Sequence, residues 1–240
     1  MLPTADALAR AVAERLVARI AAVQAEGRVP SVALTGGTIA NEIYRAVAGL
    51  PSADVDWTLV DFWWGDERYV PADSADRNDR AAELDLLDVV GVDPARVHAM
   101  PAADEAHPGL EAAAAAYAEE VREHGSGEFD LVLLGVGPDG HVASLFPHFP
   151  QLDVWDDIAV GVTDSPKPPP ERITLTFPAL NRTREVWFLV AGDGKAEAVA
   201  RALADEGSVH ETPARGITAE PSTWWLDEGA ASLLPSRRAR

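Results

Sequence analysis

Residues 129–147 read FDLVLLGVGPDGHVASLFP, and this stretch decides the fold. Its first part, 129–134, is an apolar run dense in Leu and Val, the pattern of a short strand buried on both faces. The run stops at Gly135-Val136-Gly137-Pro138-Asp139-Gly140, where three glycines let the backbone turn sharply and approach something closely. His141 and Ser144 follow at once, two groups able to do proton or nucleophile chemistry. A buried strand that hands an acid and a histidine to a tight turn is how an open α/β sheet places a site at the carboxyl ends of its strands.

Working outward, the same design recurs. Residues 30–35 (PSVALT) form a short buried strand that runs into Gly36-Gly37-Thr38 and a helix over 39–48. That turn reads either as an ordinary tight turn or as an anion cradle, with free amides at the helix start and a hydroxyl from Thr38. The aromatic strand 56–64 (DWTLVDFWW) ends in Gly65-Asp66-Glu67-Arg68, three charges that must be solvated, paired or used. Residues 185–191 (EVWFLVA) end in Gly192-Asp193-Gly194-Lys195 and enter a helix over 196–204. The spacing of Leu8, Val12, Leu16, Ile20 and Val23 predicts an amphipathic helix over 4–26. Further helices are expected at 80–87 and 110–124. Shorter strands are expected at 97–100, where His98 reads as structural, at 158–162, at 173–180 (turning into a short helix) and at 223–226. Residues 236–240 read as a polar tail. Between them, 164–172 (DSPKPPPER) is a stiff proline segment bracketed by Lys167 and Arg172. Strands alternating with helices predict an α/β fold: a doubly wound, mostly parallel, Rossmann-like sheet in a single domain over 1–240. In such a sheet the loops at 35–38, 65–68, 135–141 and 192–195 share one edge.

Charge and composition narrow the chemistry. A net charge of −19 argues against binding nucleic acid or an anionic membrane surface. An anionic ligand must therefore meet concentrated local positive charge. No cysteine is present, which removes disulfides and thiolate metal sites. No apolar run approaches the ~18 residues of a membrane span, and the start MLPTADALARAVAERL lacks the pattern of a secretory signal. A cytoplasmic protein is expected, and a monomer and a weak homodimer fit the sequence equally. Arginine outnumbers lysine eighteen to two, so Lys167 and Lys195 stand out as positions where a compact ammonium is kept.

Several site chemistries can be weighed. Gly135-x-Gly137-x-x-Gly140 after a strand fits a dinucleotide turn, but Pro138 sits inside it and Pro147 and Pro150 limit the helix that should follow. No Walker pattern is present. Asp139 and His141 lack a third metal ligand at a suitable spacing, so no metal is expected. Ser144 is not on a G-x-S-x-G elbow; three residues after His141, it reads as a packing or ligand-contact hydroxyl on the same short helix. What remains is His141 as a general base, supported by Asp139 or Asp66. Around it Gly36, Gly37, Thr38, Arg68, Gly137, Lys167, Arg172 and Lys195 are the candidates to grip a phosphate.

These residues resemble a known family. LTGGT at 34–38, WGDERYVP at 64–71, DLVLLGVGPDGHVASLFP at 130–147, SPKPPPERITLT at 165–176 and Gly194-Lys195-Ala196 together look like the 6-phosphogluconolactonase branch of the glucosamine-6-phosphate isomerase/deaminase superfamily. The resemblance implies hydrolysis of 6-phospho-D-glucono-1,5-lactone, a step of the oxidative pentose phosphate pathway, with no cofactor and a small sugar phosphate as substrate. The deaminase branch carries an Asn-Glu pair after D-G-H, and its Glu falls on Phe146 here. Phe146 cannot ionise, so the lactonase branch is the one resembled. A deaminase-like enzyme and a catalytically silent sugar-phosphate binder are the alternatives.

Overall fold

The structure is a computed structural model that describes residues 1–51, 54–104 and 106–235. The strands are β1 (Ser31–Leu34), β2 (Asp61–Trp64), β3 (Asp66–Arg68), β4 (Leu131–Gly135), β5 (Ala159–Val162), β6 (Arg172–Leu175), β7 (Val186–Val190) and β8 (Ser222–Leu226). The helices are α1 (Ala5–Ala25), α2 (Thr38–Ala48), α3 (Asn78–Ala82), α4 (Asp88–Val90), α5 (Leu110–His124), α6 (Phe177–Asn181) and α7 (Ala196–Ala202). The polar tail expected at 236–240 lies outside the described residues.

The apolar runs become the central sheet, ordered β2-β1-β4-β7-β8. Every neighbouring pair is parallel. All residues of β1 and β7, and all but Gly135 of β4, are buried, as their unbroken hydrophobicity demands. Helices flank the sheet, so the expected mostly parallel α/β fold holds. On α1 the buried stripe is Leu8, Val12, Leu16, Ile20 and Val23, and Thr4 caps its start by accepting from the Ala7 amide at 3.2 Å. Two buried tyrosines satisfy backbone groups where strands leave the sheet. The Tyr44 hydroxyl donates to the Thr35 carbonyl at 2.6 Å and accepts from its amide at 3.1 Å. Tyr117 does the same for Trp64 from α5, at 3.0 Å each way. Burial pushes both phenols well above their ordinary range.

A second sheet was not expected. β3, β6 and β5 form an antiparallel sheet in the order β3-β6-β5. Residues 66–68, expected as a loop, are its edge strand, and the strands expected at 158–162 and from 173 belong to it rather than to the parallel sheet. Gly65 is the corner between the two sheets. Its amide donates to Leu34 in one at 3.0 Å, and its carbonyl accepts from Leu175 in the other at 2.9 Å. The expected strand 56–64 is also shorter. Trp57–Leu59 is a 3-10 turn capped by Asp56, and only Asp61–Trp64 is strand. At 97–100 a single bridge joins Val97 to Phe62. His98 stacks on Trp63 with ring centroids 3.8 Å apart and bonds Glu120 at 2.7 Å, a structural placement. Among the described residues no helix is long and apolar enough to cross a membrane.

Candidate active site

Because β2, β1, β4 and β7 are adjacent and parallel, their carboxyl ends emerge together. The four Gly-and-charge segments meet there around a cleft of about 540 Å³. Gly36, Gly37, Thr38, Asp66, Arg68, Gly137, His141, Lys167, Arg172 and Lys195 all line it. Asp139 lies behind His141 rather than on the lining. Gly37 adopts φ 109°, a conformation glycine reaches freely, and caps the start of α2 beside Thr38. The first amides of that helix lack intrahelical partners and face an anion naturally.

The histidine is held from two sides. His141 Nδ1 lies 2.5 Å from Asp139 Oδ1. Burial would raise the Asp139 carboxyl, but the hydrogen bond and charge of His141 outweigh it and hold it at about 2. An ionised carboxylate only accepts, so Nδ1 carries a proton, and in the neutral ring it is Nε2 that keeps a lone pair. The ring packs on Phe146, fully buried, with centroids 4.6 Å apart. Gly137 explains why the pair fits. A Cβ there would fall 2.0 Å from His141 Nδ1 and 2.4 Å from Asp139 Oδ1. The glycine thus makes room for the pair, a role its sequence position did not disclose.

The cations are held differently from one another. Lys195 Nζ donates to the Val136 carbonyl at 2.7 Å, next to the histidine turn. Burial, with Lys167 nearby, depresses its pKa. Arg172 is nearly buried; its Nη2 donates to the Lys167 carbonyl at 3.0 Å, which pins the proline loop, and burial lowers its pKa too. Arg68 Nη1 donates to the Asp76 carbonyl at 3.0 Å and to Asn78 Oδ1.

Asp66 is not the partner of His141. Its Oδ2 accepts from Ser144 Oγ at 2.6 Å and lies 3.9 Å from Arg172 Nη1. The carboxylate is engaged in holding the turn that follows His141, and Asp139 is the acid at the imidazole. Ser144 is on no helix. Residues 142–145 form a turn closed by a Val142–Leu145 bridge, with Ala143 at φ 48°. Ser144 is fully buried, its amide bonded to Thr174 Oγ1 at 3.2 Å, so it is a packing group. Sequence reasoning passed over Asn78 and Glu67. Asn78 lines the cleft, and Glu67 sits buried behind it. Among the described residues no three His, Cys, Asp or Glu side chains gather as a metal site requires.

A parallel α/β sheet with a carboxylate-backed imidazole and a ring of cations at one edge is an arrangement chemically able to seat a small anion and to draw a proton beside it. The chain belongs to the glucosamine-6-phosphate isomerase/6-phosphogluconolactonase family, whose model matches residues 3–225. It is 48% identical to the 6-phosphogluconolactonase of Streptomyces coelicolor, covering 96% of this chain and 92% of that one. Identity to the 6-phosphogluconolactonase of Mycobacterium tuberculosis is 42%, covering 98% of both. The solved 6-phosphogluconolactonase of Trypanosoma brucei superposes with a TM-score of 0.84 over 98% of this chain and 97% of that one, at 26% identity.

Proposed function

We propose that this chain hydrolyses 6-phospho-D-glucono-1,5-lactone to 6-phosphogluconate, with His141 as the general base. The observation that carries the catalytic assignment is the 2.5 Å contact of Asp139 with His141 Nδ1 in a cleft ringed by cations. Water gives its proton to His141 Nε2 as its oxygen attacks the lactone carbonyl carbon C1. Charge develops on the carbonyl oxygen, and backbone amides at the Gly-rich turns stabilise it. The C1–ring oxygen bond then breaks, and the imidazolium returns the proton to the departing oxygen. Asp139 holds the tautomer and offsets the imidazolium charge. Lys195, Lys167, Arg68 and Arg172 take the phosphate and sugar hydroxyls, with Gly36, Gly37 and Thr38 presenting amides and a hydroxyl. Asp66 supports the site by fixing Ser144. A lactone opens slowly by itself in water, so one well-placed base suffices. Phe146, where deaminases carry a glutamate, leaves no second acid for ring-opening of an amino sugar.

We read the chain as one domain, because α1, both sheets and α5 contribute to a single buried cluster. The decisive experiment is a coupled assay on freshly generated lactone with wild type and His141→Ala. Wild type should exceed the spontaneous rate, and the variant should fall to it while still binding 6-phosphogluconate. A wild-type rate equal to background would make the protein a silent sugar-phosphate binder, and near-normal turnover in the variant would remove His141 from the mechanism.

A further inference from the structure

Behind the cation wall lies a fully buried acid that the hydrolysis does not use. Glu67, on β3, is 0% exposed. Its carboxylate accepts three backbone amides, those of Arg68 at 2.7 Å, Asn78 at 2.7 Å and Asp79 at 2.8 Å. Arg77 is buried beside it and donates to Asp79 at 2.5 Å and to the Met100 carbonyl at 2.6 Å. Glu67, Arg77 and Asp79 are not on the cleft lining, and their bonds fix the one residue between Arg77 and Asp79. That residue, Asn78, turns its side chain to the cleft wall. Its Nδ2 donates to the Asp66 carbonyl at 3.0 Å, and its Oδ1 accepts from Arg68 Nη1. The carboxamide occupies the space a Cβ at Gly36 would need, 1.8 Å from Oδ1. Asn78 therefore touches two walls of the site at once, the turn at the start of α2 and the arginine on β3. The Arg68 Nε is buried and has no partner among the described residues, so the cleft is reached by the Nη end of the guanidinium.

We propose that Asn78, clamped from behind by Glu67, is a positioning residue that aims the Arg68 guanidinium at the anionic substrate. Gly36 is glycine because the carboxamide must lie against the backbone there. A neutral amide suits the task, since it accepts from the guanidinium without neutralising it. A carboxylate at 78 would bond Arg68 as well but would repel the anion that Arg68 serves. The assignment rests on the hydrolase reading for the identity of the substrate, and its test separates the two.

The test is a double-mutant cycle of Asn78→Ala and Arg68→Ala, read by calorimetric binding of 6-phosphogluconate and by KM and kcat for the lactone. Asn78→Ala should weaken binding and raise KM about tenfold with kcat within threefold. In the Arg68→Ala background the same change should cost less than twofold. Asn78→Asp should bind more weakly than Asn78→Ala despite restoring the acceptor. Equal losses in both backgrounds, or a fall in kcat alone, would mark Asn78 as merely structural and overturn the proposal. Glu67→Gln extends the test where it folds, and the Asn78 variants decide it where it does not. Binding that stays coupled in a protein with no rate above background would sink the hydrolase reading and leave the positioning role standing. A wild type that hydrolyses lactone with an additive cycle would do the reverse. A wild type that binds no 6-phosphogluconate overturns both.

Discussion

Replacing Gly137 with alanine puts a single methyl group against the His141–Asp139 pair. An ideal Cβ at 137 falls 2.0 Å from His141 Nδ1, 2.1 Å from Cε1 and 2.4 Å from Asp139 Oδ1. Ordinary contact begins near 3.4 Å, so the imidazole must withdraw by roughly 1.4 Å, and its bond to Asp139 goes with it. Misplacing a reacting group by about 1 Å costs on the order of 100-fold in rate, or about 2.7 kcal/mol of barrier. The fold has no such difficulty. Gly137 is not among the positive-φ glycines, and the atoms crowded by its Cβ belong to side chains rather than to the backbone. A glycine-to-alanine change at a tolerant backbone position typically adds about 0.4–1 kcal/mol of stability. The expected result for Gly137→Ala is thus a kcat near one-hundredth of wild type with an undiminished urea midpoint. The assay follows 6-phosphogluconate release from fresh lactone, corrected for spontaneous opening, beside urea unfolding. A kcat within threefold of wild type would refute the steric reasoning, and so would an unfolded variant.

Asp139→Asn should cut kcat by about 100-fold, since the acceptor for Nδ1–H loses its charge. The Asp139 carboxyl is held at about 2, below its ordinary 3.8. Its stabilising contribution is therefore complete above pH 3.8 and lost as pH falls through 2, so the urea midpoints of wild type and Asp139→Asn should converge only toward that limit. Lys195→Ala should weaken 6-phosphogluconate binding about 10- to 100-fold, the range of a charge-assisted bond. Burial lowers the Lys195 pKa, so wild-type affinity should begin to fall at lower alkaline pH than an ordinary lysine allows, a slope that titration calorimetry should not find in Lys195→Met. Burial alone would lower His98, but the carboxylates of Asp61 and Glu120 prevail and raise it. Its contribution is fully present below the ordinary histidine value of 6.5 and lost as pH rises through the folded one; a urea midpoint that declines above pH 6.5 in wild type should flatten in His98→Asn.

The parallel sheet was legible because burial writes itself into sequence. Residues 131–134 and 186–190 are apolar without interruption, and only strands covered on both faces read that way. The site was legible because glycines and charges follow four of those runs, and parallel neighbours bring such ends together. The antiparallel sheet was hidden for the opposite reason. Asp66, Glu67 and Arg68 have no strand character, and their partner β6 is about a hundred residues away in sequence. Asp139 and Asp66 were equivalent on paper; only the fold shows that Ser144 occupies one and His141 the other. Asn78 lies in a polar segment whose composition says nothing of the two walls it joins. The reason for Gly137 is likewise spatial, because the atoms it yields to come from a turn that closes only in three dimensions.

The ring of Phe146 against His141 has a chemical consequence of its own. With one nitrogen bound to a carboxylate and the Phe146 ring packed obliquely against it, the imidazole side chain is only 14% exposed, and Nε2 is the ring nitrogen the carboxylate leaves free. In the proposed mechanism its reach is directional, and so is the hydroxide it would make. The oxygen of that water ends in the new carboxylate. On that route the bond between C5 and the ring oxygen is never touched, so the sugar should keep its configuration at C5, and isotopic oxygen from the solvent should enter the acid end alone.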